Sequence, residues 1–429
     1  MQKLRGYLIP IKCNVNSRSF VFNTTANALD AIQSFLLFIV VTRTCGVREG
    51  GIFSIAMAVA YQMIVIGRYG MRDYQSTDIH KDFTFSAYFL SRLVTASFMF
   101  FWLAGYIFWN GYEPEKAGIV IAVALYKSID VLEDVYHGYY QREGRLDSAS
   151  LAQSIRLGFT ILLYLAILLL TRNLLVATAI SAIFSLLAFM LLNRTLRFVF
   201  AEPAYLHAQW PSVKQLLLKC APLGICGFLQ LYVVNYPKYA IDSFLTDTVQ
   251  SYYGALSMPV FAINLLSISI YRPLLMQLAQ NWQSSNKPAL RQMLYKQLLF
   301  IVAITMMAMI FGYLFGIPVL SWIYGMNLEG YRPALMILLA GGGMAALAGF
   351  MTSVIAALRI QRFLLIGYGV TMLLEICAAS YLVQKMGTVG ASILFTTSML
   401  MLALAASGIV MMTISKMDNT KGIHSNAGD

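Results

Sequence analysis

The sequence predicts an all-α polytopic membrane protein with about 12 transmembrane helices in two six-helix lobes. Three observations carry that expectation. Of 429 residues, 59% are hydrophobic and only 12% charged, and mean hydropathy is +0.68, whereas a soluble chain runs at roughly 25% charged and 45–50% apolar. Runs such as 161–170 are apolar on every face, which excludes the in–out alternation of a transmembrane barrel. The apolar runs recur at about the 20 residues a helix needs to cross hydrocarbon, with short polar connections between them.

Taken in order, the runs place spans near 19–41, 51–67, 85–109, 117–137, 154–171 and 174–192, then near 215–241, 252–276, 298–322, 331–357, 363–383 and 389–414. The first follows Lys3, Arg5, Lys12 and Arg18 and so has the outline of a signal peptide. It is too long for a signal core and contains Asn23, Asn27 and Asp30, which suit a retained helix. The connections after the second and eighth spans are both long and basic, and Arg72 stands to Phe53 as Arg272 stands to Tyr253. This is the mark of an internal repeat, and it predicts an N-terminal lobe over 1–205 and a C-terminal lobe over 206–429 with a short cytoplasmic tail.

Net charge is +12, but topology accounts for most of it and no nucleic-acid partner is called for. Lys and Arg crowd the N-terminus, the even-numbered connections and the tail, for instance Arg68, Arg72, Arg142, Arg145, Lys287 and Arg291. The opposite connections hold only Arg43, Arg48, Lys116, Arg172, Arg332 and Lys385. Basic residues resist translocation, so both termini are expected in the cytoplasm. Trp102, Trp109 and Trp322 then fall at outer helix ends, as an interfacial aromatic belt would.

Several classes of chemistry are excluded at this level. The cysteines Cys13, Cys45, Cys220, Cys226 and Cys377 form no CxxC pair, and His80, His137, His207 and His424 have no ligand spacing, so neither a metal site nor a disulfide framework is expected. No GxxxxGK[ST] phosphate loop is present, which argues against ATP as the direct energy source. The run Gly341-Gly342-Gly343 lies inside an apolar span and suits close helix approach. No nucleophile and base share a depth, so no catalytic residue and no cofactor are expected. A polytopic glycan polymerase would present a large outer loop, and the outer connections are all short.

The informative residues are the charges inside apolar spans, because each costs at least about 2.5–3.5 kcal/mol at the bilayer centre and needs a partner or a watery cavity. Asn23, Asn27, Asp30 and Ser34 share one helical face; they line a cavity, with Asp30 as a proton or cation site, or form a polar seam between helices. In the fourth span Lys127, Asp130 and Asp134 share a face, and Glu133 and His137 make an i, i+4 pair beside it. One lysine against three carboxylates calls for cations from other helices, with Arg156 and Arg92 the nearest candidates. The alternative for Glu133 and Asp134 is a structural salt network near the cytoplasmic surface. Arg92 is shallow enough to snorkel, as is Lys219. Lys238 follows Pro237, which frees a backbone carbonyl. Arg272 and Glu375 complete the set of charges that loops do not explain.

Four segments resemble the polysaccharide flippases of the multidrug/oligosaccharidyl-lipid/polysaccharide exporter superfamily. They are Thr42-Arg43 through Gly50-Gly51-Ile52-Phe53-Ser54 with Gly70-Met71-Arg72-Asp73; Lys127-Ser128-Ile129-Asp130 through Asp134, Tyr136, Gly138, Gln141, Arg142 and Arg145 to Ser154 and Arg156; Asn235-Tyr236-Pro237-Lys238-Tyr239 with Tyr253-Gly254; and Gly387-Thr388-Val389-Gly390-Ala391. The resemblance covers about residues 16–414. It implies translocation of an undecaprenyl-pyrophosphate-linked oligosaccharide from the cytoplasmic to the outer leaflet of the bacterial inner membrane, by alternating access of the two lobes. Such transport serves O-antigen, capsule or exopolysaccharide synthesis beside glycosyltransferase and polymerase partners.

On that reading Arg92, Lys127, Arg156 and Lys238 are the cavity cations that balance the phosphates. Asp30, Asp130, Glu133 and Asp134 are the cavity or coupling carboxylates, Asn23 and Asn27 are polar lining, and a proton or sodium ion drives the cycle. Position 238 is a departure, since arginine is commoner there in related sequences, and a lysine lacks the bidentate grip of a guanidinium. A drug/cation antiporter of the same superfamily is the principal alternative, and four deep cations count against it. A peptidoglycan-precursor flippase would have fourteen spans.

Overall fold

The computed structural model describes residues 15–78, 80–197, 209–358 and 362–425. All regular structure among them is helical. Helices α1 (Val15–Thr44), α2 (Val47–Arg68), the short α3 (Met71–Thr77), α4 (Phe85–Asn110), α5 (Pro114–Arg142), α6 (Leu146–Thr171) and α7 (Leu174–Arg197) form the first half. Then come α8 (Trp210–Phe244), α9 (Asp247–Tyr271), α10 (Leu274–Gln283), α11 (Lys287–Phe311), a π-helical turn (Gly312–Gly316), α12 (Ile317–Tyr324), α13 (Arg332–Ala357) and α14 (Arg362–Ser425). The expected lobe boundary between 205 and 206, the residues Lys3, Arg5, Lys12, Cys13, His207 and Arg359, and the side chains of Arg197, Arg362, Lys416, Lys421 and His424 lie outside the described residues.

Ten helical segments among the described residues are long and apolar enough to cross a membrane. Helix α5 is as long but too highly charged for that criterion, and α14 is broken at Gly387, where φ is 57° and ψ is −130°. Counting α5 and dividing α14 at its break gives twelve spans, as the sequence predicts. Trp109 and Trp322 are exposed near helix ends, 88% and 76% respectively.

Several boundaries differ from expectation, the fifth span for instance beginning at Leu146 rather than near 154, and two of the differences have a clear local reason. The eighth span ends at Tyr271 rather than continuing to 276, because Pro273 cannot donate to the ladder; the chain turns and restarts as α10. A short helix, α3, likewise opens the connection after the second span, so the two basic connections share a structural feature. The ninth span begins at Lys287, about three turns earlier than its apolar stretch. It passes through the π turn, where a Cβ on Gly312 or Gly316 would collide with Leu339 or Leu335 of α13.

The chain divides into two compact units, Met1–Leu231 and Tyr232–Asp429, with the division inside α8. In unit 1, α5 packs against α2 and α7, while α6 packs against α1 and α7. Helix α2, rich in Gly and Ala, is the most enclosed of the candidate spans. The first half of α8 joins this unit: Gln62 donates to the Phe228 carbonyl at 3.0 Å, and a Cβ at Gly224 would meet Tyr69 at 2.6 Å.

In unit 2, α13 is the central helix, packed on α9, α11 and α14. Its three successive glycines explain how. Gly341 faces Thr396 and Phe395 of α14, Gly342 faces Val260 and Ile263 of α9, and Gly343 faces Thr305 of α11. A helix surrounded on three sides needs a small residue toward each neighbour, and three in a row cover three directions.

Candidate functional site

Helix α5 carries Lys127, Asp130, Glu133 and Asp134, all of them buried. An α-helix repeats every 3.6 residues, so these four point into two neighbouring sectors. Each sector finds cations on a different helix.

In the first sector the charges form a continuous chain. Lys127 Nζ donates to Asp30 Oδ1 of α1 at 2.8 Å and to Asp130 Oδ2 at 3.1 Å. Arg156 Nη2 of α6 donates to Asp130 Oδ1 at 2.6 Å and to Glu133 Oε2 at 2.7 Å, and its Nε reaches Glu133 Oε1 at 3.3 Å. The Arg156 fork is completed by Nη1 on Ser185 Oγ of α7 at 2.8 Å. Two cations thus meet three carboxylates, and four helices are joined. Lys127 also lies 5.3 Å from the centre of the Tyr61 ring, whose hydroxyl bonds Ser34, while Gln33 Nε2 donates to Tyr126 at 2.6 Å.

The second sector is cationic. Arg92 of α4 donates through Nη2 to Asp134 Oδ2 at 2.7 Å and through Nη1 to the Gly67 carbonyl at 2.6 Å. Gly67 lies in the last turn of α2, where carbonyls lack intrahelical donors, and Thr95 takes the same oxygen at 2.7 Å. Arg68 and Arg72 approach Asp134 at 3.6 and 3.7 Å.

The structure therefore brings Asp30, Lys127, Asp130, Glu133 and Arg156 together and sets Asp134 with Arg92. The two arginines expected as partners for α5 do pair with it. Two details differ from the sequence reading. Arg92 does not snorkel: it is fully buried, because Asp134 and an open helix end supply its acceptors where it stands. His137 does not pair with Glu133; its Nε2 lies 3.2 Å from the Ala149 carbonyl of α6, since Glu133 is already held by Arg156.

The polar stripe of α1 stands at the margin of this unit. Ala26, Gln33 and Leu37 are buried, whereas Asn27 is exposed, Asn23 and Ser34 are half-buried, and the Asp30 side chain is 37% exposed. Asp30 is thus the accessible end of a chain whose other members are sealed. Lys238, in unit 2, is half-buried on α8, and no ion pair or hydrogen bond is seen for it among the described residues. Lys219 is an exposed cation that donates to Tyr74 at 3.1 Å.

Sequence reasoning misses Arg68 and Arg72, which read in the sequence as orientation charges of a connection. A signal exists, since Asp134 lies one helical turn nearer than Asp130 to the end of α5 that runs into Arg142 and the basic connection. It also misses Tyr61, Tyr126 and Ser185, polar side chains on apolar spans with no spacing to mark them. Among the described residues no group of His, Cys, Asp and Glu could hold a metal ion.

No family model matches the chain. A curated relative, the capsular polysaccharide biosynthesis protein CapF of Staphylococcus aureus, is 20% identical over 389 residues, 89% of this chain and 96% of that protein. Among solved structures, the lipid II flippase MurJ in an inward closed conformation is similar at TM-score 0.72 and 13% identity, over 94% of this chain and 91% of its own. An inward-facing multidrug resistance MATE family transporter of the MOP superfamily is similar at TM-score 0.67 and 15% identity, over 97% and 99%. A MOP superfamily transporter from Pyrococcus furiosus follows at TM-score 0.61 and 14% identity, over 94% and 96%. These structures share the fold of this chain, a multi-pass α-helical fold of two lobes.

Proposed function

Starting from a chain that has the MOP superfamily transporter fold and resembles its polysaccharide flippases, we propose that the protein translocates an undecaprenyl-pyrophosphate-linked oligosaccharide across the bacterial inner membrane. Both termini lie in the cytoplasm, the lobes over 1–205 and 206–429 alternate in access, and the product feeds surface polysaccharide synthesis. The observation that carries the reading is the charge chain of unit 1, buried except at Asp30. Helix packing alone would be served better by apolar side chains, since a buried ion pair against a hydrophobic replacement is often neutral or destabilising. Charges kept at this depth point to a polar cargo or a coupling ion.

The geometry divides the candidate residues by role. Arg92 and Arg156 spend their hydrogen bonds within the unit, Arg92 on Asp134 and the Gly67 carbonyl and Arg156 on Asp130, Glu133 and Ser185, and so hold α2, α4, α5, α6 and α7 together. Lys127 is different, because one of its two partners is the accessible Asp30. A phosphate entering beside α1 replaces Asp30 on Lys127 without breaking the Lys127–Asp130 pair, and Asn23 and Asn27 offer amides to the sugar hydroxyls. Lys238, a cation of unit 2 with no partner seen among the described residues, is a further candidate on the cargo path. The isoprenoid tail stays in the bilayer, where it costs nothing to hold.

The test is complementation of a strain that lacks the protein and its surface glycan. Lys238→Arg is expected to restore glycan display, and Lys238→Gln and Lys127→Gln to lose it while the protein still inserts at normal abundance. Wild-type glycan from both glutamine variants would overturn the assignment of these lysines to the cargo path.

A further inference from the structure

Unit 2 holds one carboxylate that the transport reading leaves without a task. Glu375 sits in the first half of α14, about 20 Å along the helix from Arg362 and about 18 Å from the break at Gly387, by the 1.5 Å rise. It is therefore midway through a span. Leu373 and Leu374 beside it are exposed, whereas Tyr368, Thr371, Glu375, Ala379 and Val383 form the buried stripe of the helix. Glu375 is 2% exposed. No cation meets its carboxyl among the described residues, and the hydroxyl of Ser398 is the polar group that reaches it.

The surroundings are aromatic rather than cationic. Tyr232 and Tyr236 of α8 and Tyr253 of α9 lie near enough for charge on Glu375 to act on them. The Tyr232 ring packs 5.5 Å from both Tyr236 and Tyr239. Ser398 belongs to the second half of α14, and no Lys, Arg or His among the described residues faces the carboxyl. The contrast with unit 1 is the argument. There each buried carboxylate of α5 has a cation within 4 Å; here an equally buried one has none among the described residues.

A packing residue at that position would be leucine. An ionised carboxylate with no cation beside it and a single hydroxyl for company costs several kcal/mol in hydrocarbon, so Glu375 either carries a proton or binds a cation. One carboxyl with one hydroxyl beside it is too poor in oxygens for an alkali ion, and no metal-binding group occurs among the described residues. We propose that Glu375 is a proton-binding site of unit 2, loaded and discharged once in each cycle as access to the carboxyl alternates. The inference rests on the transport reading only for the word cycle, and it moves the coupling role from Asp30 and Asp130, which are held by Lys127, to a carboxyl free of any cation.

The full-length protein in lipid nanodiscs is examined by infrared difference spectroscopy between acidic and alkaline buffer, in choline chloride and in sodium chloride. The wild type is expected to show a protonated-carboxyl stretch that is lost on raising pH, equally in both salts, and Glu375→Gln to lack it. Glu375→Asp keeps the band and Glu375→Gln keeps the fold, because the amide reproduces the shape of the protonated acid. A band unchanged in Glu375→Gln, or one displaced by sodium alone, overturns the proposal. Lys238→Gln with lost glycan beside an unchanged Glu375→Gln spectrum would sink this site and leave transport standing. A Glu375 band that titrates while every lysine variant displays glycan would do the reverse.

Discussion

Replacing Arg156 by methionine removes the one cation that Glu133 has. The guanidinium makes three hydrogen bonds to two carboxylates, at 2.6, 2.7 and 3.3 Å, and its side chain is 1% exposed against 4% for Glu133 and 6% for Asp130. Asp130 keeps Lys127 at 3.1 Å, so only Glu133 is stranded. Breaking a buried pair by removing one partner costs about 3–5 kcal/mol, and the loss here falls in that range rather than at twice it. Glu133→Gln alone costs less, about 1–3 kcal/mol, since Arg156 retains Asp130.

The double variant Arg156→Met with Glu133→Gln keeps the original excess of one carboxylate, now one cation against two in place of two against three, and leaves no buried carboxylate alone. The two changes are therefore coupled by about 2–3 kcal/mol, the double variant being far more stable than the sum predicts. Folded fraction is followed by tryptophan fluorescence as sodium dodecyl sulfate is titrated into mixed micelles, for wild type, both single variants and the double. A coupling below about 0.5 kcal/mol, which is the level of independent sites, would refute the view that Glu133 is held by Arg156.

Three further outcomes follow from particular contacts. Asp30→Asn is expected to cost under about 1 kcal/mol, because its side chain is 37% exposed, whereas Asp130→Asn, which joins Lys127 to Arg156, costs several-fold more; equal losses in the same micelle titration would contradict an open end at Asp30. Gly343→Ala places a methyl 2.5 Å from Thr305 Oγ1 and destabilises by about 1–3 kcal/mol, with Thr305→Ala recovering part; no recovery in the double variant would mean the contact is not the cause. Asp78, in the connection before α4, is pushed up by burial, but this is outweighed by the Asp82 and Phe83 backbone N–H groups at 2.9 and 3.2 Å and by the Tyr88 hydroxyl at 3.0 Å, so its carboxyl titrates below the ordinary value. A folded value below the unfolded one, about 3.9, gives stability that is full above that pH and lost as pH falls through the folded value. Thermal midpoints measured down this range are expected to fall more steeply for wild type than for Asp78→Asn, and parallel curves would exclude Asp78 as the cause.

How much of this was legible beforehand depends on what each feature is made of. Spans are written as apolar length, which survives any packing, and nearly all were placed correctly. The failures came where helix and hydropathy part company. Leu274, Leu275 and Met276 prolong the apolar run beyond Pro273, though the backbone has already turned, and Lys287–Lys296 is helical although polar enough to read as a connection. At the site, spacing along α5 could be read because it is a property of one helix. That Arg68 and Arg72 reach Asp134 is a property of three elements meeting, which no single stretch records. The pairing of His137 was misjudged for the same reason: i, i+4 proximity permits a contact, but Arg156 from another helix already holds Glu133.

The distribution of charge between the two units carries a last argument. In unit 1 the buried ionisable groups neutralise one another, and their positions are fixed by helices that cross at α5. Such a network resists small displacements, because moving one partner strands another. In unit 2 the two deep ionisable groups, Lys238 and Glu375, have no such partners among the described residues, and each must find its balance elsewhere, in a phosphate, a proton or water. A transporter that works by changing access needs some charges whose partners come and go, and others whose partners never do. The paired set can hold a lobe rigid through the cycle, while the unpaired set alone can report the arrival of cargo or proton as a change in free energy. On this argument the coupling of the two ligands should vanish when Lys238 and Glu375 are neutralised, and should survive in a Glu133→Gln protein that still folds.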